Sequence, residues 1–228
     1  MKNLCELLQE SSNRYPDHIY IQDKNVNYTY QEVFHRVRTM ASILTNKYQI
    51  SANDCVMLYI ENSVEYVIAF FSVLYIGATA VPLNTNLGSD LFQLVSEETK
   101  SKYIISSRQL IGKAKKSLPE TVSNIMMNLE ELRDSTSLKN ESIKMNSTAE
   151  VAMIIYTSGT TSKAKGVMLS HENLLTIKDS ILRYLPINNK SVILAIMSFT
   201  YSYGNSILLT HTKAGGCIKI YNMSAYIS

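Results

Sequence analysis

The 228-residue chain is predicted to be an α/β protein with parallel-rich sheets flanked by helices. Three observations carry that prediction. Short apolar, partly β-branched runs recur along the chain. Segments with apolar residues at helical spacing lie between them. Capping residues, glycine and proline stand at several of the junctions. Alternation of this kind favours parallel strands joined by helical crossovers.

In chain order, Thr29-Tyr30-Gln31-Glu32 has the spacing of a capping box. The threonine hydroxyl can accept from the first turn, and the glutamate lies three residues on. Val33, Phe34, Val37, Met40, Ala41 and Leu44 then mark one apolar helix face. The run CVMLYI (55–60) reads as a buried strand. Asn62 and Ser63 are candidate N-caps for a helix that ends at Gly77, a left-handed cap. ATAVPL (78–83) is a second strand, stopped by Pro82. Ser89 or Asp90 caps the next helix, and KYIIS (102–106) is a third strand.

Residues 107–149 interrupt the alternation. They are polar and charged, with a helical signal only around Ile125 to Leu132. The expected organisation is therefore an N-terminal α/β subdomain over 1–149, including this polar segment, and the start of a second over 150–228. VAMIIY (151–156) is expected to restart the sheet. SVILAI (191–196) and GCIKIY (216–221) are expected to continue it, with a helix between Glu172 and Leu185.

Bulk composition narrows the class. Hydrophobic residues make up 46% and charged residues 18%, which reads as globular rather than disordered. A net charge of +3 with scattered lysines does not suggest a nucleic-acid partner. Cys5, Cys55 and Cys217 are widely separated and form no CxxC or Cys/His spacing, so neither a disulfide framework nor a metal site is expected. The N-terminus carries charge within its apolar stretch and does not read as a signal peptide. The longest apolar run, Val64 to Ile76, is too short to span a bilayer. A reduced, cytoplasmic protein is the expectation.

The strongest local signal is YTSGTTSKAKGV (156–167). It follows a strand and is expected to precede a helix. Ligands bind at such carboxyl ends of strands in open α/β sheets. Small residues let backbone N–H groups converge on an anion, and hydroxyls add donors. Lys165 supplies a mobile positive charge suited to phosphate. The loop is not a Walker A motif, because Ala164 precedes Lys165 and Gly166 follows it. On composition alone, a phosphate-gripping loop and a polar surface turn both remain open.

YTSGTTSKAKGVMLSHENL closely resembles the phosphate-loop signature of the acyl-activating, adenylate-forming enzymes. NRYPDHIYIQD, VNYTYQEV, ANDCVMLYIENSVEYVIAFFSVLYIGATAVPLN and SKYIIS follow in the family's order and spacing, so the resemblance covers about Leu4 to Tyr221. It implies the incomplete N-terminal large domain of the adenylate-forming fold. It also implies ATP-dependent activation of a carboxylic acid as an acyl-adenylate, followed by transfer to the thiol of coenzyme A or a carrier protein. By that resemblance Thr157, Ser158, Gly159, Thr160, Thr161, Ser162 and Lys165 hold the ATP phosphates, with Lys165 the catalytic cation and Mg2+ accompanying ATP. Ser162 stands where the family usually has glycine, and Ala164 where it usually has proline.

SFTYSYGNS (198–206) resembles the segment that lines the family's acyl pocket, with Tyr201, Tyr203 and Gly204 at the substrate-facing places. Amino-acid-activating members carry an aspartate in this segment. Residues 191–210 contain no Asp or Glu, and a buried ammonium without a carboxylate partner is costly, so an acid lacking an α-amine is expected. The family's adenine-binding, ribose-binding and principal magnesium-binding motifs, and its C-terminal domain with a further lysine, have no counterpart here. The tail NMSAYIS does not resemble the family. Two outcomes are therefore expected as alternatives. Either the family's ligase activity is carried by a truncated chain, or the chain is an inactive remnant or half of a split enzyme, completed by a downstream chain and gripping phosphate weakly.

Overall fold

The computed structural model describes residues 3–85, 90–110, 112, 116, 118–126, 144–146, 149–157 and 164–221. Helix α1 (Leu4–Arg14) leads into strands β1 (Ile19–Asp23) and β2 (Val26–Thr29), then α2 (Tyr30–Asn46), β3 (Cys55–Tyr59), α3 (Val64–Tyr75) and β4 (Thr79–Pro82). Helix α4 (Asp90–Thr99) precedes β5 (Tyr103–Ser106) and β6 (Ser123–Met126). Then come β7 (Val151–Thr157), β8 (Lys165–Ser170), α5 (His171–Tyr184), β9 (Val192–Ala195), α6 (Ser202–Ala214) and β10 (Cys217–Ile220).

The strands form two sheets, not one continued sheet. A six-stranded sheet has the order β6-β5-β3-β4-β7-β8, and a four-stranded sheet has the order β2-β1-β10-β9. All pairings are parallel except β1 with β2 and β7 with β8. The expectation that 191–196 and 216–221 extend the sheet restarted at 151 is corrected by this order. Those strands pair with each other and with β1, from the opposite end of the chain. Apolar runs report that a strand is buried, not which strand lies beside it. Each sheet takes strands from both sides of residue 150.

The local signals explain many of the elements. Thr29 Oγ1 accepts from Glu32 N–H and Glu32 Oε2 accepts from Thr29 N–H, so the capping box at the start of α2 is closed in both directions. Gly77, expected as a left-handed cap, has φ +81°. A Cβ there would also come within 2.8 Å of the Asn146 side chain. Asp90 is the first residue of α4, and the alternative cap Ser89 lies outside the described residues.

Two further expectations are corrected, and a choice between two candidate caps is resolved. Ile125 belongs to a strand, β6, which pairs parallel with β5; the remainder of the helix expected from Ile125 to Leu132 lies outside the described residues beyond Met126. The phosphate-loop motif, expected to precede a helix, itself ends in a strand, β8, which begins at Lys165 and runs to Ser170 before any helix begins. Finally, Ser63 is the N-cap of α3, its side chain accepting from Tyr66 N–H, whereas Asn62 serves a different element, described below.

Helix α3 occupies the middle of the molecule. Eleven of its twelve residues are buried, which requires neighbours on all sides rather than one apolar stripe. It touches α2, α1, β1, β3 and β4, so it packs against strands of both sheets. Phe70 and Phe71 meet edge-on with ring centroids 5.4 Å apart, a favourable aromatic geometry. Tyr30, the first residue of α2, ties that helix to α6 and to the turn before β10 by donating its hydroxyl proton between the carbonyl oxygens of His211 and Gly216, each at 2.8 Å. Among the described residues no helix is long and apolar enough to cross a membrane.

Candidate functional site

The phosphate-loop motif connects two antiparallel strands. Thr157 ends β7 and pairs with Lys165, which begins β8. Ser158, Gly159, Thr160, Thr161 and Ser162 lie outside the described residues. Lys165 is exposed at the mouth of that segment, with its charge available to an incoming anion. Behind it, Tyr156 donates its hydroxyl proton to Glu98 Oε2 at 2.8 Å, tying β7 to α4. Burial and that carboxylate push the Tyr156 phenol pKa up, so the ring remains a neutral support.

The neighbouring parallel strand, β4, delivers Asn84 just beyond its carboxyl end. Asn84 Nδ2 donates to the Tyr201 hydroxyl oxygen. Tyr201 is therefore held near the carboxyl ends of β4 and β7, the side on which the 158–163 segment emerges. It is also the N-cap position of α6. Gly204, three residues on, has a packing reason to lack a side chain. A Cβ there would lie 2.1 Å from the Ser198 carbonyl oxygen, far inside any tolerable contact.

Asn62 holds the segment before α6 in place. Its Nδ2 donates to the Met197 carbonyl oxygen, and its Oδ1 accepts from the Phe199 N–H, each at 2.8 Å. Tyr66, on α3, adds a hydrogen bond from its hydroxyl to the Phe199 carbonyl oxygen at 3.3 Å. The sequence signal at Asn62 is indistinguishable from that of a helix cap, so this clamp is visible only in three dimensions.

Tyr203 lines a cavity of about 370 Å³ between the β7–β8 hairpin and helices α5 and α6. Small-molecule sites commonly span about 300–1,000 Å³. Ile155, Leu169, Leu174, Ile177 and Leu209 make its wall largely apolar. Ser202 and Ser206 add hydroxyls, and two larger polar residues interrupt the wall, Lys178 from α5 and Asn205 from α6. Lys178 is 2% exposed, and its amine meets the carboxylate of Asp179 at 2.5 Å. Asn205 is 1% exposed, and neither its Nδ2 nor its Oδ1 has a hydrogen-bond partner. An unpaired buried amide costs about 1–3 kcal/mol. Neither residue was singled out by sequence reasoning. Lys178 looks like an ordinary helix-surface lysine, and Asn205 looks like a polar residue near a helix start.

Tyr201, Tyr203 and Gly204 thus occupy one turn at the start of α6 but differ in surroundings. Tyr201 reaches β4, Tyr203 lines the cavity, and Gly204 faces the backbone of Ser198. Among the described residues no group of three His, Cys, Asp or Glu is placed to hold a metal ion.

Fold and site together define a class: two parallel-rich sheets around a buried central helix, with a hydroxyl-rich connection joining β7 to β8 and an apolar cavity between that hairpin and helices α5 and α6. The chain belongs to the AMP-binding enzyme family, whose model matches residues 8–225. It is 28% identical over 197 residues to zwittermicin A synthase ZmaJ of Bacillus cereus, covering 86% of this chain and 36% of that protein. It is 29% identical over 176 residues to gramicidin S synthase 2 of Brevibacillus brevis, covering 76% of this chain and 4% of that one. In fold, the inhibitor-bound N-terminal domain of FACL13 from Mycobacterium tuberculosis superposes with a TM-score of 0.86 at 24% identity, over 97% of this chain and 57% of that domain. The chain therefore spans little more than half of that domain and a smaller share of the synthases.

Proposed function

We propose that this chain carries the phosphate-gripping and acyl-binding part of an ATP-dependent carboxylic acid ligase. The observation that supports this most directly is the convergence of Lys165, at the mouth of the 158–163 connection, with Tyr201 near the carboxyl ends of adjacent strands β7 and β4. In this reading the backbone N–H groups and hydroxyls of Thr157, Ser158, Gly159, Thr160, Thr161 and Ser162 surround the ATP phosphates. Lys165 neutralises charge there as the substrate carboxylate attacks the α-phosphorus and pyrophosphate leaves, giving the acyl-adenylate from which the thiol later displaces AMP. ATP brings magnesium with it, and the described residues offer it no carboxylate cluster. Tyr203 and the apolar wall beside it receive the carbon chain of the acid. The acyl group then passes to the thiol of coenzyme A or of a carrier protein.

A second reading is favoured by one feature of the surface. Val192 and Leu194 on β9, the edge strand of the four-stranded sheet, and Ile196 just after it are 65%, 43% and 68% exposed. An open apolar edge of this kind invites pairing. In this second reading adenylation requires a further polypeptide on that edge, and the chain alone only grips phosphate.

ATP–pyrophosphate exchange with a panel of carboxylic acids separates the readings. Acid-dependent exchange by the chain, reduced at least tenfold by Lys165→Ala, supports the first. ATP binding that depends on Lys165 without exchange supports the second. ATP binding unchanged in Lys165→Ala overturns the role given to the loop in both.

A further inference from the structure

The polar pair in the cavity is unexplained by packing. The wall around it is built of Ile155, Leu169, Leu174, Ile177 and Leu209, yet it holds a buried lysine and a buried amide whose two polar atoms are unpartnered. Buried polar groups in folded proteins are almost always satisfied, and those that are not call for a specific reason.

The partner of Lys178 is weakly placed to be its permanent one. Asp179 is its immediate neighbour in α5, and adjacent residues on a helix do not face each other. The Asp179 side chain is 57% exposed, against 2% for Lys178. Water can satisfy Asp179 if the lysine is drawn elsewhere. Lys178 is therefore a cation lining the cavity whose counter-charge sits outside in solvent and can be exchanged for another carboxylate.

Lys178 and Asn205 come from different helices and line the same cavity. An ammonium and an amide N–H are both donors, and together they match the two oxygens of a carboxylate. This pair is separate from Lys165, which stands on β8 at the mouth of the phosphate connection. A reacting carboxylate directed toward that connection leaves the Lys178–Asn205 pair free for a different group on the same ligand.

We infer that Lys178 and Asn205 anchor a second carboxylate, so that the acid taken by this cavity is an aliphatic dicarboxylic acid. The inference rests on the reading of the cavity as the acyl site. The absence of Asp and Glu from residues 191–210 agrees with it, because no acidic side chain in that stretch opposes a second negative charge. The apolar wall selects a carbon chain, and the polar pair selects the group at its end. A monocarboxylic acid of the same length would leave the Asn205 Nδ2 donor unpaired.

The test is calorimetric titration of the full chain with succinate, glutarate, adipate and pimelate. Butanoate, pentanoate, hexanoate and heptanoate serve as length-matched monocarboxylates. At least one dicarboxylate is expected to bind ten times more tightly than its monocarboxylate partner. Lys178→Met should abolish that preference, Lys178→Arg should retain it, and Asn205→Leu should reduce it severalfold. If Lys178→Met fails to fold by circular dichroism, Asn205→Leu carries the same comparison. Equal affinities for the two series, or a preference that survives in the folded variants, overturn the inference and leave the acyl-site reading standing. Binding of neither series overturns both.

Discussion

Helices α3 and α5 begin alike and end up in opposite environments. Each follows a serine whose side chain accepts from a backbone N–H three residues on. Yet eleven of twelve residues are buried in α3, and only His171, Leu174, Leu175 and Lys178 are buried among fourteen in α5. Helix α3 is packed on nearly every side; its one residue outside the buried set is Glu65, half-buried with Oε2 sealed from solvent. Helix α5 is anchored mainly by its first turns, and beside its middle lies the cavity with Lys178. A fully enclosed helix positions the sheets; a one-sided helix leaves room for a ligand. The contrast teaches that full enclosure and open space are allotted to different helices of one chain.

The largest effect that could break this contrast is cavity creation in the centre. Phe70 is fully buried, and Phe70→Ala is expected to cost about 3–5 kcal/mol of stability. The matching change on α5, Ile177→Ala, removes a side chain from a residue 44% exposed and should cost less than about 1 kcal/mol. Urea denaturation of both variants checks the difference; equal losses would refute it.

The next effect is pH-dependent and tests the anchored end of α5. His171 is buried, its Nδ1 accepts from the Leu4 N–H at 3.3 Å, and its Nε2 has no partner. Burial lowers its pKa from 6.5 to about 4, against a smaller opposing pull from Glu6. The unfolded chain therefore binds this proton more readily than the folded one. The stabilising contribution is present above about pH 6.5 and is lost as pH falls toward 4, amounting to roughly 3 kcal/mol at most. Thermal melts from pH 7.5 to 4 should show that decline, and His171→Asn, which keeps an acceptor for Leu4, should flatten it.

The smallest of the three concerns the clamp just before α3, which holds the segment leading into α6. Asn62→Ala removes both hydrogen bonds to Met197 and Phe199 and should cost about 1–2 kcal/mol. Hydrogen exchange should then quicken at Phe199 while α3, capped by Ser63, keeps its protection. Parallel loss in both would show that Asn62 serves the helix after all.

Much of the fold was legible locally. The capping box at Thr29, the glycine at 77 and the strands near 55, 79, 103 and 151 are all signals within a few residues. The β1–β2 hairpin was not legible. Its turn places Lys24 and Asn25 at φ 48° and 65° without the glycine that usually marks left-handed turns. Strand β8 was hidden for another reason: its residues are mostly exposed, so no buried alternation betrays it. At the candidate site, the loop motif and the tyrosines before α6 stood out in sequence, but Asn62, Lys178 and Asn205 did not. Each acquires its role from a partner or cavity wall contributed by a distant segment.

The sequence by itself determined the fold class, most of the helices and interior strands, and the family to which the phosphate-loop motif belongs. Those depend on periodicity, caps and short motifs, which are properties of neighbouring residues. Tertiary structure alone decided that β10 lies beside β1, that Asn62 reaches Met197 and Phe199, and that a buried lysine and amide share one apolar cavity. Such pairings are set by which surfaces are buried together, and the energy of that burial depends on the whole arrangement rather than on any local stretch of chain.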